Sequence, residues 1–431
     1  MSASVQMEGQ RITVRQAGAY MMAAVADDWL ALSPNESLRQ SREAQICIDM
    51  LCAYLRNTPQ AHNEPNGAGE PTDQPVRDVI THIIATHVHE DSKPSWRPLD
   101  FNLAGARLHD ADLSHCRFEG RLSLRGAHFS GEQARFTGTH FGEVTFESAQ
   151  FDPATTADFV RTQWNSNACF DSVQFGGDVQ FHLAEFCKAA SFRRASLGTA
   201  VGAASEASFI NAKFFSSAVF ADAQVYCSTV DFEKATFTKE AQFERLCAAH
   251  DGHLSSLSFR DTTFQGPVNF INCQVDGLAD FTRAIFGGLS RKPLTLMTAD
   301  FDSEHVARFN HAKFWAARFT EARFTRPVSF YRVDFMAETA FIETMFEAPV
   351  RFEAANFQGR GQFRYVEFSR GATFHRATFG HDVVDFSDPR AWTDVHFDWD
   401  SPDTRPVTGL TVQPSNVLPE AWPPSMTLYR G

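Results

Sequence analysis

The sequence predicts a mainly β, solenoidal chain fronted by α-helices, and three observations lead there. Phenylalanine supplies 42 of the 431 residues against six tyrosines. It returns every five or six residues over long stretches, as in "FTRPVSFYRVDFMAETAFIETMFEAPVRFEAANF" from Phe324 to Phe357. A small residue almost always stands two places before it. An ordinary core mixes Leu, Ile, Val and Phe to fill irregular space, whereas one aromatic type at fixed intervals implies one slot copied many times.

The front of the chain reads as helical over residues 1–95. "TVRQAGAYMMAAVADDWLAL" and "SPNESLRQSREAQICIDMLCAYLRNT" form two amphipathic helices, the second opened by Ser33 as N-cap and Pro34 as first residue. A linker near residues 57–75, rich in Gly, Pro and Asn, follows, and "PVRDVITHIIATHVHED" makes a third helix. This segment is expected to cap the first coil, since an open β-helix exposes an unpaired strand edge at each end.

The repeat begins with "LAGARLHDADLSHCRF", where Leu103, Leu108, Leu113 and Phe118 stand five apart, with Ala106, Ala111 and Cys116 two before the last three. Side chains two apart on a strand share one face, so the large and small residues point inward together and the residue between them points out. Very short strands that turn a corner after each pair wind around a packed interior.

In that pattern, a small residue, a polar one, a central Leu or Phe and two more polar residues, the sequence resembles the pentapeptide-repeat family from roughly Leu99 to Asp388. The resemblance implies a right-handed quadrilateral β-helix with four pentapeptides per coil; the spacing alone requires only a solenoid. The front segment resembles the helical region of actinobacterial members through Val14, Arg15, Gly18, Tyr20 and "AYLR" at Ala53–Arg56. In such relatives that region often follows a pair of membrane helices. This chain begins after the point where they would lie, so membrane attachment is not expected.

From Phe319 to Phe379 the steps alternate five and six residues, a departure from the strict family pattern. The longer steps often carry Pro or Gly, as in "FTRPVSF", "FEAPVRF" and "FQGRGQF", whereas "FYRVDF" and "FEAANF" have neither. Pro fixes φ and Gly tolerates φ > 0, so looser turns are expected there. The expectation is a two-fold, slightly skewed coil of about 22 residues in which long and short corners alternate, with coils roughly 4.8 Å apart.

Three interruptions, at 198–207, 245–258 and 287–299, read as insertions at corners, where solenoids tolerate them. After residue 388 the metre breaks, and residues 389–431 read as an irregular, Trp-rich C-terminal cap. The β-helix itself is assigned to residues 96–388.

Signals for chemistry are thin. The eight cysteines show no CxxC pair and read as reduced thiols. His87, His89 and Asp91 spell HxHxD, which resembles a metal-dependent hydrolase motif, but they fall on the last turn of a helix before Pro94, where histidines suit the helix dipole. The motif's next histidine is Ser92 here, and no second ligand cluster accompanies it. There is no phosphate-binding glycine loop and no GxSxG elbow. No catalytic, cofactor-binding or metal residue is assigned, and no cofactor is expected.

The net charge of −13 is uneven. Asp382–Asp403 holds seven acids against one arginine, a net of −6, while residues 301–380 hold eleven Lys or Arg against nine acids, a net of +2. A duplex mimic requires a sustained negative face. Arg308, Lys313, Arg318 and Arg323 sit on successive pentapeptides and should ring a coil, so nucleic acid is not an expected partner.

The resulting expectation is a non-enzymatic, soluble cytoplasmic scaffold that binds another protein, its partner unknown, with dimer or end-to-end association open to it. There is no apolar leader and no apolar run of membrane-spanning length. The alternative is a DNA-mimic protein binding a type II topoisomerase, as some acidic pentapeptide-repeat relatives do. A metal-dependent hydrolase is the minority alternative.

Overall fold

The computed structural model describes residues 3–32, 42–57, 73–199, 205–250, 253–287, 307–400 and 412–427, grouped in two compact units, 1–191 and 192–431. The first unit opens with three helices, α1 (Ala3–Leu32), α2 (Arg42–Arg56) and α3 (Gln74–Val88). Ser33, Pro34 and residues 58–72 of the expected linker lie outside the described residues. The first helix begins ten residues before the expected Thr13. Ala19, Ala23, Ala26 and Leu30 of α1, Ile48, Leu51 and Leu55 of α2, and Ile80, Ile83 and Ile84 of α3 are buried. The buried Arg77 ties α3 to the end of α2: its guanidinium donates to the Leu55 carbonyl at 2.8 Å, meeting one of the carbonyls that a helix terminus leaves without a partner.

The helices meet the first coil through polar contacts as well as apolar ones. The Gln45 side chain of α2 accepts from the Asp100 N–H at 2.9 Å and donates to the Asp100 carbonyl at 2.7 Å. A side-chain amide thus occupies the place a neighbouring strand's peptide would take.

Beyond the helices both units consist of very short parallel strands stacked in register, the right-handed four-sided β-helix that the resemblance implies. In the first unit Phe118, Phe141, Trp164 and Phe186 form one inward column. In the second, Phe237, Phe264, Phe286, Phe324, Phe346 and Phe368 form another. One coil of the second unit shows the plan, with strands Arg323–Phe324, Val328–Ser329, Asp334–Phe335 and Thr339–Ala340 before Phe346 returns beside Phe324. The return is 22 residues. The inward residue of each strand is buried, because it fills a slot between equivalents above and below; its neighbour is half-buried at Arg323 and Asp334 and buried at Ser329 and Ala340.

The corners are of two kinds, as the metre requires. From Phe319 onward each short corner is a β-turn: the Ala322 N–H donates to the Phe319 carbonyl at 2.9 Å, and the Thr344 N–H to Phe341 at 3.3 Å. The backbone conformation of the two kinds differs. Positive φ falls in the short corners, on Glu321 (57°), Arg332 (54°), Glu343 (56°), Ala354 (55°), Tyr365 (58°) and Arg376 (57°), none of them glycine. The left-handed conformation costs such residues about 1–2 kcal/mol, and stacking holds it: the Glu321 N–H donates to the Ile342 carbonyl of the next coil at 2.9 Å. In the long corners glycine answers a different need. A Cβ on Gly359 would stand 2.5 Å from the backbone of Ala337, so successive coils could not close at that point. Gly371, at φ 105°, is a long-corner glycine that does take positive φ.

Of the three interruptions, residues 200–204, 251–252 and 288–299 lie outside the described residues, as do residues 300–306; the second contains a small antiparallel pair, Cys247–His250 with His253–Leu254. At the back, Trp392, Phe397, Trp399 and Trp422 form an aromatic cluster, with ring centroids 4.6 Å apart for Phe397–Trp399 and 4.9 Å for Phe397–Trp422.

Candidate functional site

With the interior filled by the stacked rings, whatever this chain recognises must meet its outward positions. Most of these are polar, and they stack in columns with one residue per coil. In the second unit one column pair differs. The strand Lys313–Arg318 runs straight through a corner, as does its neighbour Gln274–Asp280, and the step from Phe314 to Phe319 is five residues with neither Pro nor Gly. The corner residue after Phe314 is Trp315, 52% exposed, and one coil further on the equivalent residue is Met336, 40% exposed. Register fixes the neighbourhood: Phe314 pairs with Phe335, which sets Met336 one rung from Trp315, and on the other side a bulge at Asp276 and Gly277, between Val275 opposite Phe314 and Leu278 opposite Ala316, faces Trp315. The Ala337 N–H donates to the Trp315 carbonyl at 2.6 Å, which locks these rungs together.

Gln274, Asp276, Lys313, Trp315, Asp334, Met336 and Gln358 enclose an open recess of about 550 Å³. Its second column pairs Lys313 with Asp334 in register, and Asn356 Nδ2 donates to Asp334 Oδ1 at 3.1 Å from the next coil. The site therefore joins an exposed aromatic ring and a thioether to two carboxylates and one ammonium on a backbone fixed by inter-coil hydrogen bonds. The metre assigned Phe314 and Phe335 inward but did not single out Trp315 or Met336. The available signal was a second aromatic directly after a repeat centre, "KFWAA", which recurs as "KFFSS", where Phe215 is also exposed.

The other candidate residues are engaged in folding. His87 Nδ1 donates to the Ile83 carbonyl at 2.6 Å, and the ring stacks on Trp96 with centroids 4.0 Å apart. Asp27 of α1 joins the two: its carboxylate accepts from Trp96 Nε1 at 2.8 Å and lies 3.3 Å from His87 Nε2. His89 Nδ1 accepts from the Asp91 N–H at 3.4 Å. Among the described residues no three His, Cys, Asp or Glu side chains converge as metal ligands, and no helix is long and apolar enough to cross a membrane. Burial pushes the thiols of Cys52, Cys116 and Cys227 up to about 12, far from the nucleophilic range.

Several charges pair with an opposite charge from an adjacent coil. Arg125 meets Glu147 at 2.5 Å and Arg121 meets Glu143 at 3.3 Å in the first unit. In the second, Arg245 meets Asp222, Arg283 meets Asp261 and Arg323 meets Glu347, each at 2.6 Å from an adjacent coil. Arg308, Lys313, Arg318 and Arg323 lie opposite Ser329, Asp334, Ala340 and Met345, four different columns around the coil. Three of the acids after residue 380 likewise have partners. Asp388 faces Arg364 at 3.3 Å, Asp398 lies 3.1 Å from His375 and accepts from the Arg376 N–H, and Asp394 lies 2.9 Å from His396. Burial raises the pKa of Asp400, and Asp403 is outside the described residues.

Comparison with known proteins agrees with this architecture. The family model for pentapeptide repeats (9 copies) matches residues 103–150, 113–163 and 253–291. No curated protein and no solved structure matches the chain.

Proposed function

Because the chain is a pentapeptide-repeat protein, we propose that it is a non-enzymatic scaffold that binds another protein through the recess around Trp315 and Met336. The observation that carries this reading is the pair of large apolar side chains held outward on consecutive rungs of a rigid ladder. Tryptophan fixed in place and partly exposed is the residue type on which interface energy concentrates, and it loses little conformational entropy when a partner covers it. A location in the cytoplasm fits the unlinked cysteines, since thiols persist in reducing compartments.

The DNA-mimic alternative asks for acids left open along one side. Pairing of acids with arginines from adjacent coils favours the scaffold over it. A direct test captures partners from the native cytoplasm on the full chain and on Trp315→Ala in parallel. A protein retained by the first and lost from the second, with thermal stability unchanged, is the expected result. Identical captured sets would refute this site. Salt-sensitive inhibition of a type II topoisomerase, retained in Trp315→Ala, would replace the reading with the mimic.

A further inference from the structure

Resting on that reading, we infer that the recess receives a cationic side chain, arginine or lysine, projecting from an otherwise apolar segment of the partner. The lining decides the sign. Trp315 is flanked by Asp276 one rung below it, and by Asp334 one rung above in the adjoining column. Lys313 is the only cationic lining residue and lies in register with Asp334, so the lining keeps a net charge of −1. Asn356 fixes the Asp334 carboxylate by donating to Oδ1, which orients it before any ligand arrives.

The remaining lining suits the stem of such a side chain. Arginine and lysine carry an apolar stem and a charged head, and Met336 beside Trp315 supplies a surface for the former while the carboxylates take the latter. A cation over an indole face gains from the ring quadrupole, and the gain is largest where a partner excludes water. An acidic side chain in the same place would meet two carboxylates for one ammonium. A wholly apolar one would cover Asp276 and Asp334 without giving them a donor, which costs free energy.

Selection of a random dodecapeptide library on the full-length protein, in parallel with Trp315→Ala, tests this. The expected outcome is enrichment on the native chain alone of peptides with Arg or Lys beside apolar residues. A synthetic peptide from that set should lose about tenfold in affinity on Trp315→Ala. A comparable loss is expected on Asp276→Asn, which leaves the ring in place, and on replacing the peptide arginine by citrulline. Trp315-dependent enrichment of acidic or uncharged peptides would overturn the cation inference and leave the interaction surface standing. Enrichment indifferent to Trp315 would overturn both.

Discussion

Phe352 and Arg351 are adjacent in the chain and belong to opposite regions of the molecule, the inner stack and the outer ladder. Phe352 is fully buried, stacked between Phe330 at 4.9 Å and Phe374 at 4.7 Å, with Phe341 and Phe363 edge-on at 5.4 and 5.8 Å. Arg351 lies over the Tyr331 ring at 4.4 Å and reaches Glu353 at 2.7 Å, half in water. Both rows repeat with the coil, but the inner one has a single solution for its shape. The outer one is free to vary, as Arg308, Ser329, Arg351, Thr373 and His396 in one column demonstrate. A β-helix of this kind can therefore change what it recognises without changing what holds it together.

The sharpest way to break that contrast is to truncate both residues. Phe352→Ala should cost on the order of 3–5 kcal/mol, since its ring contacts above, below and edge-on vanish and rigid coils above and below hinder collapse of the cavity. Arg351→Ala should cost less, on the order of 1 kcal/mol, the worth of a part-exposed cation–π contact and ion pair. Chemical denaturation of the two variants measures both, and equal losses would erase the distinction between stack and ladder.

A corner can be tested on the same scale. Gly359→Ala places a methyl 2.5 Å from the Ala337 backbone, which cannot move without shifting a coil, and about 1–3 kcal/mol of destabilisation is expected. Glu321→Gly, in a short corner, should be neutral or mildly stabilising, because it relieves a left-handed residue at φ 57°. The reverse order in thermal unfolding would mean that long corners relax where short ones do not.

This corner result also marks what was legible in the sequence. The interval between phenylalanines gave the solenoid, the inward register and the 22-residue return, because a repeated slot imposes its period on the chain. The reason for each corner was not legible: Pro and Gly advertise a turn but not what requires it, and at Gly359 the requirement is backbone from 22 residues earlier. The same distance hid the charge pattern. Asp388 looked like part of an acidic run until folding set it against Arg364, and interruptions such as 198–207 shift the count needed to foresee such pairs. Gln45, which completes the first coil through Asp100, had no sequence signal at all, since its role depends on how a helix lies against a strand edge.

The smallest effect should come from a rung of the outer ladder. Arg283 forks onto Asp261 from the next coil, Nε to Oδ1 at 2.6 Å and Nη2 to Oδ2 at 2.7 Å, and both residues hold left-handed corners at φ 55°. Those hydrogen bonds hold the Asp261 carboxyl below its usual 3.8. A carboxyl depressed on folding adds stability above its unfolded pKa and forfeits it as pH falls through the folded value. Arg283→Ala should therefore lower the melting temperature slightly near neutrality in low salt, less than any of the three substitutions that cost stability above. The gap should narrow as salt rises and close once the pH lies well below 3.8, where wild type has lost the same contribution. A gap that persisted in acid would assign Arg283 a packing role through its stem, and would move this rung from the replaceable ladder to the fixed interior.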